Sequence, residues 1–247
     1  MSKVRKSDEK ALVVYPDSDG EPMADNTKQF DWIVAIKLGL ELTFENDPNV
    51  FVAGDLLWYP VEEDNKTRLA PDAMVVFGRP KGHRGSYQQW LEENIAPQVV
   101  FEVLSPGNRA KEMKEKRDFY NKYGVEEYYI INPIPKKKTL KGWRRIGQDL
   151  VEIAPMNGWV SPRLKIKFEH QLGEVKLYQP DGAAFESYLE IATQRRLEKE
   201  RADLEQKRAD LEQKEKEQAL LMLHQERERA KRLEEKLRAL GIDPDKT

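Results

Sequence analysis

The stretch that decides the fold is residues 99–104, which read VVFEVL. A continuous apolar run of this length, rich in Val, is typical of a central strand that is covered on both faces. A carboxylate inside such a strand loses its hydration, so it normally has a partner or a function. Glu102 is therefore interpreted either as half of a buried ion pair, with an arginine as the expected partner, or as part of a site.

A second carboxylate enters another apolar run, since residues 71–77 read PDAMVVF. Taken alone, Asp72 fits a turn, because Pro-Asp pairs are common in loops. Taken with Glu102 on a strand predicted to be its neighbour, Asp72 fits a pair of oxygen ligands for one hard metal ion. The two carboxylates therefore predict a metal-dependent phosphodiesterase.

A helix is predicted over residues 109–123, directly after the strand that carries Glu102. Glu112, Lys116 and Tyr120 are spaced by four residues and share one face of that helix. A helix that follows a strand in an α/β unit packs on the sheet, so Lys116 is able to point toward the two carboxylates. The alternative is a solvated helix with an ordinary Glu-to-Lys pair.

The other segments alternate between helical and strand patterns, which predicts an α/β fold with a mixed sheet. A helix is expected to start near Asn26 or Thr27, and a hairpin is expected to turn at Gly147-Gln148. The predicted segments are a polar N-terminal arm (1–26) that lies on the domain or is disordered, a globular domain (27–193), a charged helix (194–241) and a tail (242–247).

The composition narrows the class of protein. Among 247 residues there is no cysteine, which excludes disulfides and thiolate zinc sites, and the three histidines are far apart in sequence. The first ten residues are too polar for a signal peptide, and no apolar run approaches the ~18 residues of a membrane span. A cytoplasmic protein without a membrane partner is expected. The net charge of −2 means that nucleic-acid binding would need a local basic surface.

The charged C-terminal segment contains a repeat of seven residues, because RADLEQK occurs at 201–207 and again at 208–214. This period predicts a long helix that pairs with a second copy as a coiled coil, giving a homodimer. Leu204 and Leu211 hold one seam position, but Arg201 and Arg208 hold the other. The alternative is a solitary helix stabilised by i,i+4 charge pairs.

The strings PDAMVV, FEVLSPGNR and GVEEYYIINP, with the spacing to Lys116 and Tyr120, resemble the Uma-two family of restriction endonucleases. This family belongs to the PD-(D/E)XK nuclease superfamily, and the resemblance covers about residues 20–190. It implies a restriction-endonuclease-like core with a β-rich extension, in which Asp72 and Glu102 are the motif acids. The superfamily lysine two residues after the second acid is Leu104 here, and Lys116 on the next helix takes its place by resemblance.

The resemblance also implies a reaction. Asp72 and Glu102 are expected to bind Mg²⁺, with Mn²⁺ as a substitute, for hydrolysis of phosphodiester bonds in DNA. Lys116 is expected to orient the attacking water or to stabilise the negative charge that develops. An acid of the first helix often completes such sites, and both Glu41 and Glu45 are candidates.

Several residues are candidates for binding the substrate. Ser105 and Arg109 lie at the turn into the helix, where backbone N–H groups can receive a phosphate. Basic residues cluster in two loops, with the alternative that both are ordinary solvated loops. The candidates are Lys136, Lys137, Lys138, Lys141, Arg144 and Arg145 in one cluster, and Arg79, Lys81, His83 and Arg84 in the other.

Two other functions fit the same residues. The leucine at position 104 favours a non-catalytic DNA-binding or scaffold protein that retains the nuclease fold. The repeat favours a protein in which the tail is the functional part and the domain before it serves for docking.

Overall fold

The computed structural model describes residues 13–134, 140–171, 173–186 and 188–240, which form a mixed α/β fold. The helices are α1 (Thr27–Thr43), α2 (Ala110–Lys122) and α3 (Tyr188–Ala239), with a 3₁₀ helix at Gln89–Glu92. The strands are β1 (Val50–Ala53), β2 (Trp58–Tyr59), β3 (Ala73–Phe77), β4 (Tyr87–Gln88), β5 (Val99–Val103), β6 (Glu127–Ile131), β7 (Leu140–Ile146), β8 (Asp149–Glu152), β9 (Lys167–Gln171) and β10 (Glu174–Tyr178).

The main sheet has six strands in the order β1-β3-β5-β6-β7-β8. Strands β5 and β6 are parallel and are connected through α2, whereas the other neighbours are antiparallel. The predicted central position of the run at 99–104 is confirmed, because all five residues of β5 are buried. The predicted hairpin is confirmed as well: β7 and β8 turn at Gly147, whose φ of 63° favours glycine.

Helix α1 begins where the sequence predicted. Asn26 caps it by accepting a hydrogen bond from the Gln29 backbone N–H (3.0 Å). Ile33, Ile36 and Leu40 face the sheet and join the first hydrophobic core. Strands β1, β3 and β5 contribute Val50, Val52, Ala73, Val75, Val99, Phe101 and Val103 to this core, and β9 and β10 contribute Phe168, Val175 and Leu177.

Helix α2 belongs to the core on the opposite face of the sheet. Tyr120 is fully buried there, with its ring 5.0 Å from that of Tyr128. Met74 of β3 and Val100 of β5 belong to the same core. Because side chains alternate between the faces of a strand, the residues two positions away from Met74 and Val100 face α2 as well.

The part of the N-terminal arm at residues 13–25 lies on the domain. The Tyr15 ring contacts the rings of Tyr59 (5.2 Å) and Trp90 (4.9 Å). The Pro16 carbonyl accepts a hydrogen bond from the Tyr59 hydroxyl (2.7 Å), and the Val14 carbonyl accepts one from the Asn65 amide (2.8 Å). Residues 13–25 therefore match the alternative in which the arm packs on the domain.

The chain divides into two compact units, and the second begins at Leu189. Its described part is the single helix α3, in agreement with the predicted long helix. Leucines at the repeat and beyond are exposed, namely Leu197, Leu204, Leu211, Leu220, Leu221, Leu223, Leu233 and Leu240. Charge pairs four residues apart also occur, as in Glu212 with Lys216 (2.6 Å). Pairing with a second copy stays a prediction.

Candidate active site

Three carboxylates approach one another where β1, β3 and β5 lie side by side. Ala73 pairs with Phe101 in the antiparallel register of β3 and β5, so the next pair would be Asp72 and Glu102. Side chains directly opposite in such a pair share a face. Asp55 follows β1, and its N–H donates to the carbonyl of Pro71 (3.1 Å). The face that these acids share is the one covered by α2.

Glu102 is the most deeply buried of the three acids, with 2% of its surface exposed. One carboxylate oxygen accepts from the Lys116 ammonium (2.7 Å) and the other accepts from the Tyr120 hydroxyl (2.5 Å). Both donors come from α2, four residues apart, as the helical spacing indicated. Burial acts to lower the pKa of Lys116, but the Glu102 carboxylate outweighs it, so the pKa is raised and the ammonium form is stabilised.

Asp72 is 9% exposed, and one of its oxygens accepts from the Val103 backbone N–H (2.6 Å). Among the described residues, its other oxygen accepts no hydrogen bond. Burial and the nearby Glu102 carboxylate raise the pKa of Asp72 to about 8, against the opposing effects of the Val103 N–H and Lys116. Lys116 alone could not balance the charge if Asp55, Asp72 and Glu102 were all ionised, so the site is one where an added cation would favour the ionised form of Asp72.

Asp55 was not singled out in the sequence, where Gly54-Asp55 marked only a break in a strand. It is half-buried, and its backbone adopts a positive φ of 48°. Burial, followed by the charge of Asp19, raises the pKa of Asp55. The signal that the sequence offered was an acid close to an apolar run, since only Gly54 separates Asp55 from residues 50–53.

The turn after β5 is tied to the start of α1. Gln29 is buried; its amide nitrogen donates to the Val103 carbonyl (2.8 Å), and its amide oxygen accepts from the Asp25 N–H (2.9 Å). The Ser105 hydroxyl donates to the Asp25 carboxylate. Gln29 therefore fixes the same residue, Val103, whose N–H holds Asp72. Its polar character at one position of an apolar helix face was the only sign in the sequence.

A cleft of about 650 Å³ opens beside this cluster. Asp55, Asp72 and Lys116 line it, whereas Glu102 does not and lies behind Lys116. The other lining residues are Asp19, Glu21, Pro22, Met23, Ala24, Asp25, Gln29, Leu57, Asn65, Lys66, Arg68, Leu69, Ala70, Asn108 and Glu112. The cleft is thus bounded by the cluster, by two cations and by the N-terminal arm.

Other sequence candidates lie outside this cleft. Glu41 pairs with Lys37 (2.7 Å) near the far end of α1, and neither it nor Glu45 lines the cleft. Helix α1 instead presents Gln29 there, because its N-terminal end is the one beside the cleft. Arg109 precedes α2 with its N–H 3.4 Å from a Glu112 oxygen, and it does not line the cleft either.

The described residues of the two predicted basic clusters also lie outside this cleft. Arg79 pairs with Glu92 (2.8 Å) and with Glu93 (2.6 Å), and Arg84 pairs with Glu92 (2.6 Å), so two carboxylates already balance these two cations. Arg144 is exposed on β7 and lines a separate cleft of about 1020 Å³. Lys137, with its neighbours Lys136 and Lys138, lies outside the described residues.

The donors at the cluster are of the type that Mg²⁺ takes. Carboxylate oxygens are its usual protein ligands, and a divalent cation would offset the repulsion that raises the pKa of Asp72. In the described part of the chain, no three acidic, histidine or cysteine side chains already stand close enough to hold an ion together. Asp72 and Glu102 fit as ligands by their chemistry, with Asp55 as the nearest further acid.

A family model and a solved structure both match this chain. A family model described as "Uma2: Putative restriction endonuclease" matches residues 13–166, more than half of the chain. A solved structure of a "putative nuclease belonging to DUF820" from Anabaena variabilis is 15% identical, with a TM-score of 0.43 over 57% of this chain and 75% of that chain. No curated protein matches the sequence. Among the helices that the structure describes, none is long and apolar enough to cross a membrane.

Proposed function

Because the chain belongs to the Uma2 family, as the motif resemblance indicated, we propose that it is a metal-dependent endonuclease that hydrolyses phosphodiester bonds in DNA. The observation that carries the proposal is the meeting of Asp72, Glu102 and Lys116 on one sheet face at the wall of a cleft. The acids lie on adjacent strands, and the lysine reaches them from the helix that follows.

In this proposal, Asp72 and Glu102 hold Mg²⁺ or Mn²⁺, which supplies an activated water and neutralises charge on the phosphate. The free oxygen of Asp72 and its exposure to the cleft support its role as ligand. Lys116 holds Glu102 in place and presents an ammonium at the cleft wall, where it stabilises negative charge. Tyr120 is a positioning residue, because its hydroxyl orients Glu102 from inside the core.

One observation favours the second candidate, a non-catalytic DNA-binding or scaffold protein. Both oxygens of Glu102 already have donors, so the buried charge of Glu102 is balanced by Lys116 alone. A fold that kept this pair for stability would retain the geometry without needing a metal. The two candidates therefore differ in whether a divalent cation binds.

The test is thermal unfolding with and without Mg²⁺ or Mn²⁺. A ligand that binds the folded state raises the melting temperature, by the equivalent of about 2.7 kcal/mol at a hundred times its dissociation constant. Asp72→Asn and Glu102→Gln should each lose most of this rise, and Glu152→Gln, an exposed acid on β8, should keep it. An equal rise in all four proteins would contradict the assignment of the ligands.

A cleavage assay on plasmid DNA separates the two candidates further. Lys116→Ala should lose cleavage and still show the rise in melting temperature with Mg²⁺, because its charge acts on the phosphate and water. A variant that cleaves as fast as the wild type would remove Lys116 from the proposal. Wild type that binds DNA but shows neither cleavage nor a rise in melting temperature with Mg²⁺ would favour the non-catalytic alternative.

A further inference from the structure

Two cations on the cleft wall have no carboxylate partner within the described part of the chain. Lys66 and Arg68 line the cleft that holds Asp72 and Lys116. The half-buried Arg68 guanidinium donates to the Asn65 carbonyl (2.9 Å) and lies 6.0 Å from the centre of the Tyr59 ring. Among the described residues, neither Lys66 nor Arg68 forms a salt bridge, in contrast to Arg79, Arg84 and Arg163. A cleft that keeps a guanidinium unpaired is suited to an anionic ligand.

The N-terminal arm brings its own anions into this cleft. Asp19 and Glu21 line it together with the two cations. Burial is the largest cause of the raised pKa of Asp55, and the charge of the nearby Asp19 is the second largest. An acidic segment is therefore held beside an acidic cluster, which is electrostatically unfavourable unless cations or other anchors compensate.

The anchors lie at the two ends of the segment. On one side, Tyr15 and Pro16 are fixed to Tyr59, and on the other side Asp25 is fixed to Ser105 and Gln29. Between them, the described hydrogen bonds of residues 17–24 run only within the arm, from Gly20 N–H to Ser18 and from Glu21 N–H to Asp19. This stretch can leave the cleft without breaking a described hydrogen bond to the domain, although it would lose the packing of Ala24 against the first hydrophobic core and of Asp17 beside Gly85.

We propose that Arg68 and Lys66 bind the phosphodiester backbone of the substrate, and that Asp19 and Glu21, which lie in the same cleft without a described salt bridge to these cations, occupy the space of the nucleic acid in the free protein. The inference rests on the proposed function and specifies where the nucleic acid lies. A guanidinium fork matches a phosphate in geometry, and Lys66 adds a second positive charge on the same wall. DNA then displaces residues 17–24, while Tyr15 and Asp25 keep the two ends of the arm in place.

The experiment measures binding of a fluorescein-labelled 20-base-pair DNA duplex, with Ca²⁺ in place of Mg²⁺ so that binding is read apart from cleavage. Arg68→Gln should weaken binding about tenfold or more, because a charge-assisted contact to phosphate is lost. Lys66→Gln should weaken binding in the same direction, and its exposed position protects the fold. Lys176→Gln, which removes a positive charge on β10 outside the cleft, is the matched control.

The arm is tested in the opposite direction. Asp19→Asn with Glu21→Gln should tighten binding by about threefold or more at low salt and by less at high salt. Glu45→Gln with Glu152→Gln removes the same charge away from the cleft and should tighten binding less. Equal affinities for the arm variant and this control, or for Arg68→Gln and Lys176→Gln, would overturn the inference.

A label on the arm reports its displacement directly. The chain has no cysteine, so Ser18→Cys accepts a single fluorophore. Saturating DNA should lower the anisotropy of that fluorophore as the segment leaves the cleft. Unchanged anisotropy with bound DNA would refute displacement. Absence of DNA binding by both wild type and the arm variant would overturn the inference while leaving the metal test of the proposed function intact.

Discussion

One oxygen of Glu102 accepts a hydrogen bond from the Lys116 ammonium, and the other accepts one from the Tyr120 phenol. The contacts that stabilise this buried charge therefore also belong to the candidate site. A buried carboxylate that lost Lys116 would be left uncompensated, which typically destabilises a protein by about 3–5 kcal/mol. The sequence left open an ion pair and a site as separate interpretations. The structure contains the pair, with a lysine in place of the expected arginine, and Lys116 of this pair lines the candidate site.

The raised pKa of Asp72 predicts a pH dependence of stability in the metal-free protein. Its pKa of about 8 in the folded state lies above the ordinary value of 3.8, so the folded state binds more protons than the unfolded state between these values. The stabilising contribution of this group is fully present below about pH 4 and is lost as the pH rises through about 8. The slope for one proton is at most about 1.4 kcal/mol per pH unit.

Asp72→Asn should abolish this part of the slope, because the amide does not titrate. The measurement is urea unfolding of both proteins in EDTA from pH 4.5 to pH 8.5. The difference in free energy of unfolding, wild type minus variant, should fall steadily with pH and level off above about pH 8. A difference that stays constant, or that grows with pH, would show that Asp72 is ionised in the folded protein.

At the scale of elements, the Gln29 side chain links the start of α1 to the end of β5. Gln29→Leu would leave the Val103 carbonyl and the Asp25 N–H without these partners. A buried polar group left unsatisfied costs about 1–3 kcal/mol, so the free energy of unfolding should fall by an amount in this range. Because Val103 holds Asp72, the affinity for Mg²⁺ should fall as well, measured by isothermal titration calorimetry.

Lys28→Leu is the control for this prediction, since it makes a similar substitution at an exposed neighbouring position of α1. Lys28→Leu should leave the free energy of unfolding and the affinity for Mg²⁺ nearly unchanged. If Gln29→Leu lowers stability while Mg²⁺ affinity is retained, Gln29 only anchors the helix and does not position the acid.

For the whole molecule, the exposed leucines of α3 predict a homodimer. Leu204 and Leu211 repeat at seven residues, and Leu233 and Leu240 do so further along. Burying each across a second copy would contribute about 1.5–3 kcal/mol before the cost of association. Arginine at the other seam position lowers this gain, so a modest affinity is expected.

Light scattering at several micromolar protein should therefore give a dimer for the full chain and a monomer, or a weaker dimer, for a chain that ends at Thr193. Leu204→Glu with Leu211→Glu in the full chain should have the same effect as the truncation. The same number of subunits in the full and shortened chains would assign the leucines another role, or leave α3 as a helix stabilised only by its own charge pairs.

The local elements follow from the sequence alone. Asn26 as a helix cap, the apolar run of 99–104 as a central strand and Gly147 as a hairpin turn are set by side-chain chemistry within a few residues. The same holds for the face shared by Lys116 and Tyr120, because four residues are about one helical turn. These predictions needed no knowledge of distant contacts.

The composition of the site was decided only in three dimensions. Asp55 stands beside Asp72 through a strand register, and Gln29 reaches Val103 across 74 positions of sequence. Glu41 and Glu45 were equally plausible in the sequence, but the direction of α1 places them away from the cleft. Arg84, which pairs with Glu92, and Arg68, which pairs with no carboxylate of the described residues, look alike in sequence. What surrounds a charge depends on which distant segments the fold brings to it.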